Sequence, residues 1–276
     1  MSARTIASVA ALAVILTTAC SEGSESTGLP GEPVSIVNGT PTGASYGAVG
    51  ALLYDLNANG TVDALDQLCS GTLIAPTVFQ TAAHCLSWLP ASAQLYVSFS
   101  PSLAPVPATF ISATGFAYDP LYNVSNGNPH DLAVVFLPTG STAGITPLNL
   151  PPAGYLDQLA AQGVLQKAVF VNVGYGDMAN RTGRPTRGYD GQRRQSSSLF
   201  MALTSTWLGL RMNAAVTGKG GDCYGDSGGP KFLEGDPTTI LAHVVTGDAI
   251  CRATTWDYRL DTQAARDFLG QFVTLP

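Results

Sequence analysis

A nucleophile and a base are both spelled out in this chain: Ser227 lies in Gly225-Asp226-Ser227-Gly228-Gly229-Pro230, and His84 lies far upstream in Thr81-Ala82-Ala83-His84-Cys85. A serine hydroxyl is a weak nucleophile at neutral pH and gains strength from an adjacent imidazole that takes its proton, so either segment alone would say little. A lone Gly-Asp-Ser-Gly is often a turn, and a lone buried histidine usually does no more than hydrogen-bond in a core. Together the two segments read as a serine hydrolase.

The elements that must hold these residues are short strands. The 276 residues include 30 glycines and 18 prolines, with 45% hydrophobic positions and 12% charged ones, which suits strands joined by tight turns rather than a helical bundle. β-rich runs recur between turn residues at 47–56, 69–74, 94–99, 109–118, 131–137, 168–175, 198–205, 240–246 and 254–260, a spacing that predicts barrels or a sandwich. Only the last segment has a helical period: Ala265, Phe268, Leu269 and Phe272 recur at i, i+3, i+4 and i+7, with Asp261 or Thr262 to cap them. One C-terminal helix is expected. The formal net charge of −6 argues against a nucleic-acid partner, which requires a basic surface.

Residues 1–19 carry Arg4, an apolar stretch from Ile6 to Leu16 and the small residues Thr17-Thr18-Ala19, the layout of an export signal. The stretch is too short to span a bilayer comfortably. Export permits disulfides, and four of the five cysteines (Cys69, Cys85, Cys223, Cys251) fall in the globular part while Cys20 is left over. Two readings of Cys20 stand. Leu16-Thr17-Thr18-Ala19-Cys20 resembles the lipobox of bacterial lipoproteins, with Thr17 where an apolar residue is usual; the other reading is cleavage after Ala19 and release with a free N-terminal cysteine. Under either, residues 20–35 form a tether, rich in Ser, Gly and Glu up to Pro33. The expected location is secreted or lipid-anchored at the bacterial cell envelope, with membrane contact only through lipid on Cys20.

Four segments, in order, resemble those of the trypsin/chymotrypsin family: Ile36-Val37-Asn38-Gly39, Thr81 to Cys85, Asp131-Leu132-Ala133-Val134-Val135, and Gly221 to Pro230. The resemblance covers residues 36–276 and implies an all-β fold of two antiparallel six-stranded barrels packed face to face (about 36–145 and 146–260), then the helix. It implies that Ser227 attacks the scissile carbonyl, His84 moves its proton, and Asp131 holds the imidazole in the productive tautomer. Gly225 and Ser227 would supply the oxyanion-hole N–H groups. Cys69 would pair with Cys85, and Cys223 with Cys251. Metal ligation by these four is disfavoured because no C-x-x-C pair exists. The expected function is a serine endopeptidase acting on proteins or peptides as a monomer and requiring no cofactor. A non-catalytic binding module on the same fold and an esterase with the same triad are the alternatives.

The resemblance also locates a substrate pocket, with Gly221 at its floor, Asp222 next to it and Gly247 in its wall, where Val245-Thr246-Gly247 replaces the usual Ser-Trp-Gly. An Asp222 that reaches the pocket selects Arg or Lys; one that points away leaves a neutral pocket for larger apolar side chains. In the family, cleavage before an Ile-Val-x-Gly segment makes an amine that pairs with the Asp preceding the serine, here Ile36 and Asp226. No Lys or Arg lies between Thr5 and Gln166, so a protease that cuts after basic residues cannot make that cut. Separately, Asp55, Asn57, Asn59, Asp63 and Asp66, with Gly60, match calcium-loop spacing, against which stands a solvated hairpin turning at Asn59-Gly60. Arg181, Arg184, Arg187, Arg193 and Arg194 read as a solvated loop, or as one that faces substrate or is clipped.

Overall fold

The computed structural model describes residues 34–36, 38–104, 108–176, 178–179 and 190–276. The export signal, the tether up to residue 33, Cys20, and Arg181, Arg184 and Arg187 lie outside the described residues. Residues 33–276 form one compact unit. Its strands are β1 (Val34–Ser35), β2 (Thr40–Pro41), β3 (Val49–Tyr54), β4 (Gln67–Ala75), β5 (Val78–Thr81), β6 (Leu95–Ser98), β7 (Ile111–Ser112), β8 (Gly115–Tyr118) and β9 (Ala133–Phe136), followed by helix α1 (Tyr155–Ala161). Then come β10 (Val169–Gly174), β11 (Met178–Ala179), β12 (Arg194–Leu203), β13 (Trp207–Arg211), a single helical turn α2 (Ala214–Thr217), β14 (Pro230–Leu233), β15 (Ala242–Gly247), β16 (Thr254–Arg259) and α3 (Gln263–Leu269). Among the described residues no helix is long and apolar enough to cross a membrane.

The strands form an all-β architecture of two seven-stranded antiparallel sheets, with β1 and β11 pairing apart from them. In the second half β10-β14-β15-β16-β13-β12 pair in order and β12 returns to β10, from Val169↔Leu199 to Gly174↔Arg194, closing a barrel. In the first half the order is β7-β6-β3-β4-β5-β9-β8, and its two ends are joined by the chain itself. The run read as one strand at 109–118 bends at Ala113-Thr114: Ala113 N–H donates to Leu95 on β6, and Thr114 N–H to Phe136 on β9. Bulges at Leu52/Leu53 and Leu73/Ala75 add the local twist that lets the sheet curl.

The seam between the halves is apolar. Val49, Ile74, Val78 and Val134 of the first half pack with Val173, Phe232 and Tyr258 of the second and with Ala265, Phe268 and Leu269 of α3. Thr262 caps that helix by accepting the Ala265 N–H at 3.2 Å. Phe272, one turn beyond it, meets Phe268 edge-on and Phe136 at a tilt, with ring centroids at 5.2 and 5.6 Å. Asp261 serves elsewhere: it accepts the Leu156 N–H at the start of α1 and pairs with Arg259. A second helix, α1, and the α2 turn were not expected from the sequence pattern.

Candidate active site

The β5–β9 ladder carries the site's first half. Its last pair is Thr81↔Ala133, so the chain just after β5 and just before β9 emerge side by side. His84 sits in a 3₁₀ turn over Ala83–Cys85, and Cys85 is bonded to Cys69 on β4 with Cα atoms 6.4 Å apart. Asp131 is 3% exposed. Its two oxygens are both taken by His84: Oδ2 accepts from Nδ1 at 2.7 Å and Oδ1 from the backbone N–H at 2.8 Å. An acceptor-only carboxylate at Nδ1 fixes the proton there and leaves Nε2 as the basic atom. Burial pushes the Asp131 carboxyl up, but the hydrogen bond and charge of His84 hold it below the ordinary aspartate range.

Ser227 enters from the second half. Its carbonyl accepts the Ser70 N–H at 2.9 Å, while Gly228 and Gly229 exchange backbone bonds with Val244 on β15 at 2.8 and 2.9 Å. Gly228 has φ +79°, and a Cβ there would lie 2.5 Å from Ser70 O and 2.9 Å from Ala82 N, so only glycine lets this loop close onto the strand end leading to His84. Gly225 has φ +92°, and its carbonyl is held by Gln67 Nε2 at 2.8 Å and Ser70 Oγ at 2.9 Å. Those bonds turn the carbonyl into the first half. Among the described residues neither the Gly225 nor the Ser227 N–H is spent on a protein acceptor, and Ser227 Oγ makes no hydrogen bond. Catalytic hydrogen bonds are often long before substrate arrives. Gln67 and Ser70 carried no sequence signal, because what they hold lies more than 150 residues away.

Asp226 is fully buried, and its oxygens accept N–H bonds from Gly176 at 2.8 Å and Cys223 at 2.9 Å. Burial, then the neighbouring Asp222 carboxylate, raises its pKa well above the ordinary value. Ile36 is fully buried with φ 39°, and β1 before it pairs with β11. Asp222 is also buried and pairs with Lys231 Nζ, which reaches Asp257 at 3.4 Å and donates to Asn172 at 2.8 Å. One ammonium thus serves a cluster of buried acids, and burial raises Asp257 against the pull of Lys231. Asp222 Oδ1 and Asp257 Oδ2 have no partner among the described residues. Gly221 lies under Met212, Gly247 is exposed at the end of β15, and Cys223 is bonded to Cys251 with Cα atoms 5.3 Å apart.

In the 55–66 loop the candidate calcium oxygens are engaged with the loop's own backbone. Asp55 accepts from Asn59 and Gly60, Asn57 from Asn59, Asn59 from Thr61, Asp63 from Leu65, and Asp66 from Leu56 and Asp63. Among the described residues the three carboxylates do not converge on a common point. Arg193, read as part of a solvated loop, is instead 1% exposed: its guanidinium donates to the carbonyls of Val49, Phe99, Gly43 and Ser45 and to Thr42 Oγ1. The reason is position, since it sits where β2 crosses to pair with β12. Arg194 pairs with Asp190.

Residues 54–256 match the family described as Trypsin. The fold is shared with the Vibrio cholerae VesB protease, at 18% identity and TM-score 0.62 over 85% of this chain and 66% of that one. It is shared too with HL collagenase, at 18% identity and TM-score 0.62 over 86% of this chain and 97% of that one. A mutant of human heparin binding protein aligns at 18% identity and TM-score 0.60, covering 86% of this chain and 96% of the other. With a family match over most of its length on this two-sheet scaffold, the chain belongs to the trypsin family.

Proposed function

We propose that this chain is an exported serine endopeptidase that cleaves peptide bonds through an acyl-enzyme. The observation that carries the reading is the buried Asp131 carboxylate bound twice by His84, which leaves Nε2 as the base, beside unspent N–H groups at Gly225 and Ser227. In the first step His84 Nε2 takes the Ser227 proton as Oγ attacks the carbonyl carbon, and the oxyanion is held by the two N–H groups. His84 then protonates the leaving amine, and water, deprotonated by the same imidazole, releases the acid from the ester. Ser227→Ala is expected to lower kcat on the order of 10⁶-fold while the protein still melts cooperatively. A serine-phosphonylating reagent should label the wild type at Ser227 and not the variant. Folded Ser227→Ala with substantial activity, or an unlabelled wild type, overturns the reading. A matched ester and amide, compared by kcat/KM, separate a peptidase from an esterase. One structural neighbour is named for binding heparin, a polyanion; a net charge of −6 does not suit that ligand here.

For the pocket we favour apolar over basic side chains at the cleaved position. Asp222 already faces Lys231, so its charge is met from inside the protein. The Arg-to-Phe ratio of kcat/KM is expected to fall below one, and a ratio favouring Arg sinks the neutral pocket. Paired cysteines in both halves suit an oxidising compartment, and with it export. Activation would follow a cut between Ser35 and Ile36 by a protease that does not require a basic residue, freeing the catalytic unit from any lipid on Cys20. A chain beginning at Ile36 should then turn over faster than one that still carries the tether. Equal rates would leave Asp226 served by its two backbone N–H bonds alone.

A further inference from the structure

Behind the candidate triad lies a histidine that the mechanism above does not use. His243, on β15, is fully buried. Its Nε2 is 2.8 Å from the backbone carbonyl of Asp131, and its Nδ1 is 2.6 Å from Gln80 Nε2 on β5. The proton positions follow from the partners. A carbonyl only accepts, so Nε2 carries a hydrogen. The Gln80 amide nitrogen also donates to Thr81 O at 3.0 Å, which rules out the flipped amide, because an oxygen there would face an oxygen. The nitrogen facing Nδ1 is therefore a donor, Nδ1 carries a lone pair, and the ring is neutral. Burial agrees, lowering the His243 pKa to about 4 against the pull of Asp131 and with the help of His84 and Lys231.

The next residue along β15 is Val244, whose N–H and carbonyl tie down Gly229 and Gly228 of the nucleophile loop. Two adjacent residues of one strand thus grip both parties to the chemistry: Val244 the serine's loop by its backbone, His243 the triad acid by its side chain. The Asp131 and Gln80 contacts cross from the second half to the first, at the point where the two halves must be in register for Ser227 to meet His84. We propose that His243 is a positioning residue for the triad, its Nε2–H holding the Asp131 carbonyl so that the Asp131–His84 pair stands in register with Ser227. This rests on the serine hydrolase reading, so the test must separate the two.

The test compares His243→Met and His243→Gln with the wild type, each normalised to the serine titrated by the phosphonylating reagent. Met fills the site without a donor; Gln can return an N–H to the Asp131 carbonyl. His243→Met is expected to lose about 10- to 100-fold in kcat per titrated site with KM nearly unchanged, since misplacement of a catalytic pair by less than an ångström acts on the reacting step. His243→Gln should recover most of that loss. If kcat per titrated site in His243→Met stays within about twofold of wild type, or Gln rescues nothing, His243 is only a wall of the core. Should the Met variant fail to fold, Gln80→Met serves: it removes the donor to Nδ1, lets the wrong tautomer compete, and should cost kcat in the same direction, whereas no loss overturns the proposal. If the wild type itself is not labelled, the hydrolase reading fails while the geometry can still be tested without turnover. The chain has only three histidines, so the proton in the His84–Asp131 hydrogen bond is assignable by NMR. It should exchange faster in His243→Met, and an unchanged resonance and exchange rate would refute the positioning role.

Discussion

At the scale of single residues, the buried imidazole of His243 makes the fold less stable as the solution is acidified. Unfolded, a histidine takes its proton below 6.5; in the fold His243 does not do so until about 4. Between those values the unfolded chain binds more protons, so this residue lowers stability as pH falls, by up to roughly 3 kcal/mol at the bottom of the window. Asp131, whose pKa is depressed, acts in the same direction at lower pH: its contribution is present above the unfolded aspartate value and is lost as pH falls through the folded one. Asp226 and Asp257 act in the opposite direction, because a raised carboxyl pKa means stability that declines as pH rises. Denaturant titrations at pH 4.5 and 7 on wild type and His243→Met isolate the histidine, since the carboxyls are common to both. The stability gap between the two pH values is expected to shrink in the variant, and an equal gap would mean that His243 is protonated in the fold. The His84–Asp131 pair was legible because local motifs name both residues. Gln67, Lys231 and His243 were not, because each matters only through a partner brought up by the fold.

Among the elements, the runs with alternating or continuous apolar character became strands, and the misses have local causes. β5 follows β4 after only Pro76 and Thr77, and the run read at 69–74 stops at that Pro-containing turn, so β5 was missed. β14 begins inside the Gly-Gly-Pro of the serine motif, which reads as a loop. β13 contains Gly209, where a Cβ would lie 3.0 Å or less from the Trp256 ring; a glycine that signals a break in sequence is here the seat for an aromatic. α1 starts at Gly154 with no side-chain cap and is too short to show a period. β2 is two residues long and pairs with Arg194 and Gln195 of β12, just beyond the buried Arg193. Arg193→Met would remove a buried guanidinium that donates to four carbonyls and is expected to cost about 3 kcal/mol, read as a lower denaturant midpoint at unchanged slope. Replacing both Cys69 and Cys85 by Ala should cost roughly 3 kcal/mol, about 10 °C in melting temperature, because it frees a loop of 16 residues beside His84. The 55–66 loop satisfies its own backbone, so EDTA is expected to leave the melting temperature unchanged; a fall restored by calcium would show that the loop opens to take an ion.

For the molecule as a whole, the two halves are not independent parts laid side by side. Arg193 from the second half is buried under carbonyls of the first, β2 from the start of the domain pairs with β12, and the apolar surface of Ile74, Val78 and Val134 is covered by Phe268 and Leu269 of α3. Each of these contacts joins residues far apart along the chain, and such contacts form late in folding because closing a long loop costs entropy before any contact rewards it. A ribosome delivers α3 after every strand of both halves. Until then the first sheet carries an uncovered apolar face, sticky to chaperones and to other copies of itself. A protein built in this order is ill-suited to folding piecemeal as it is made; its two halves can settle into register only once the whole chain, α3 included, is present.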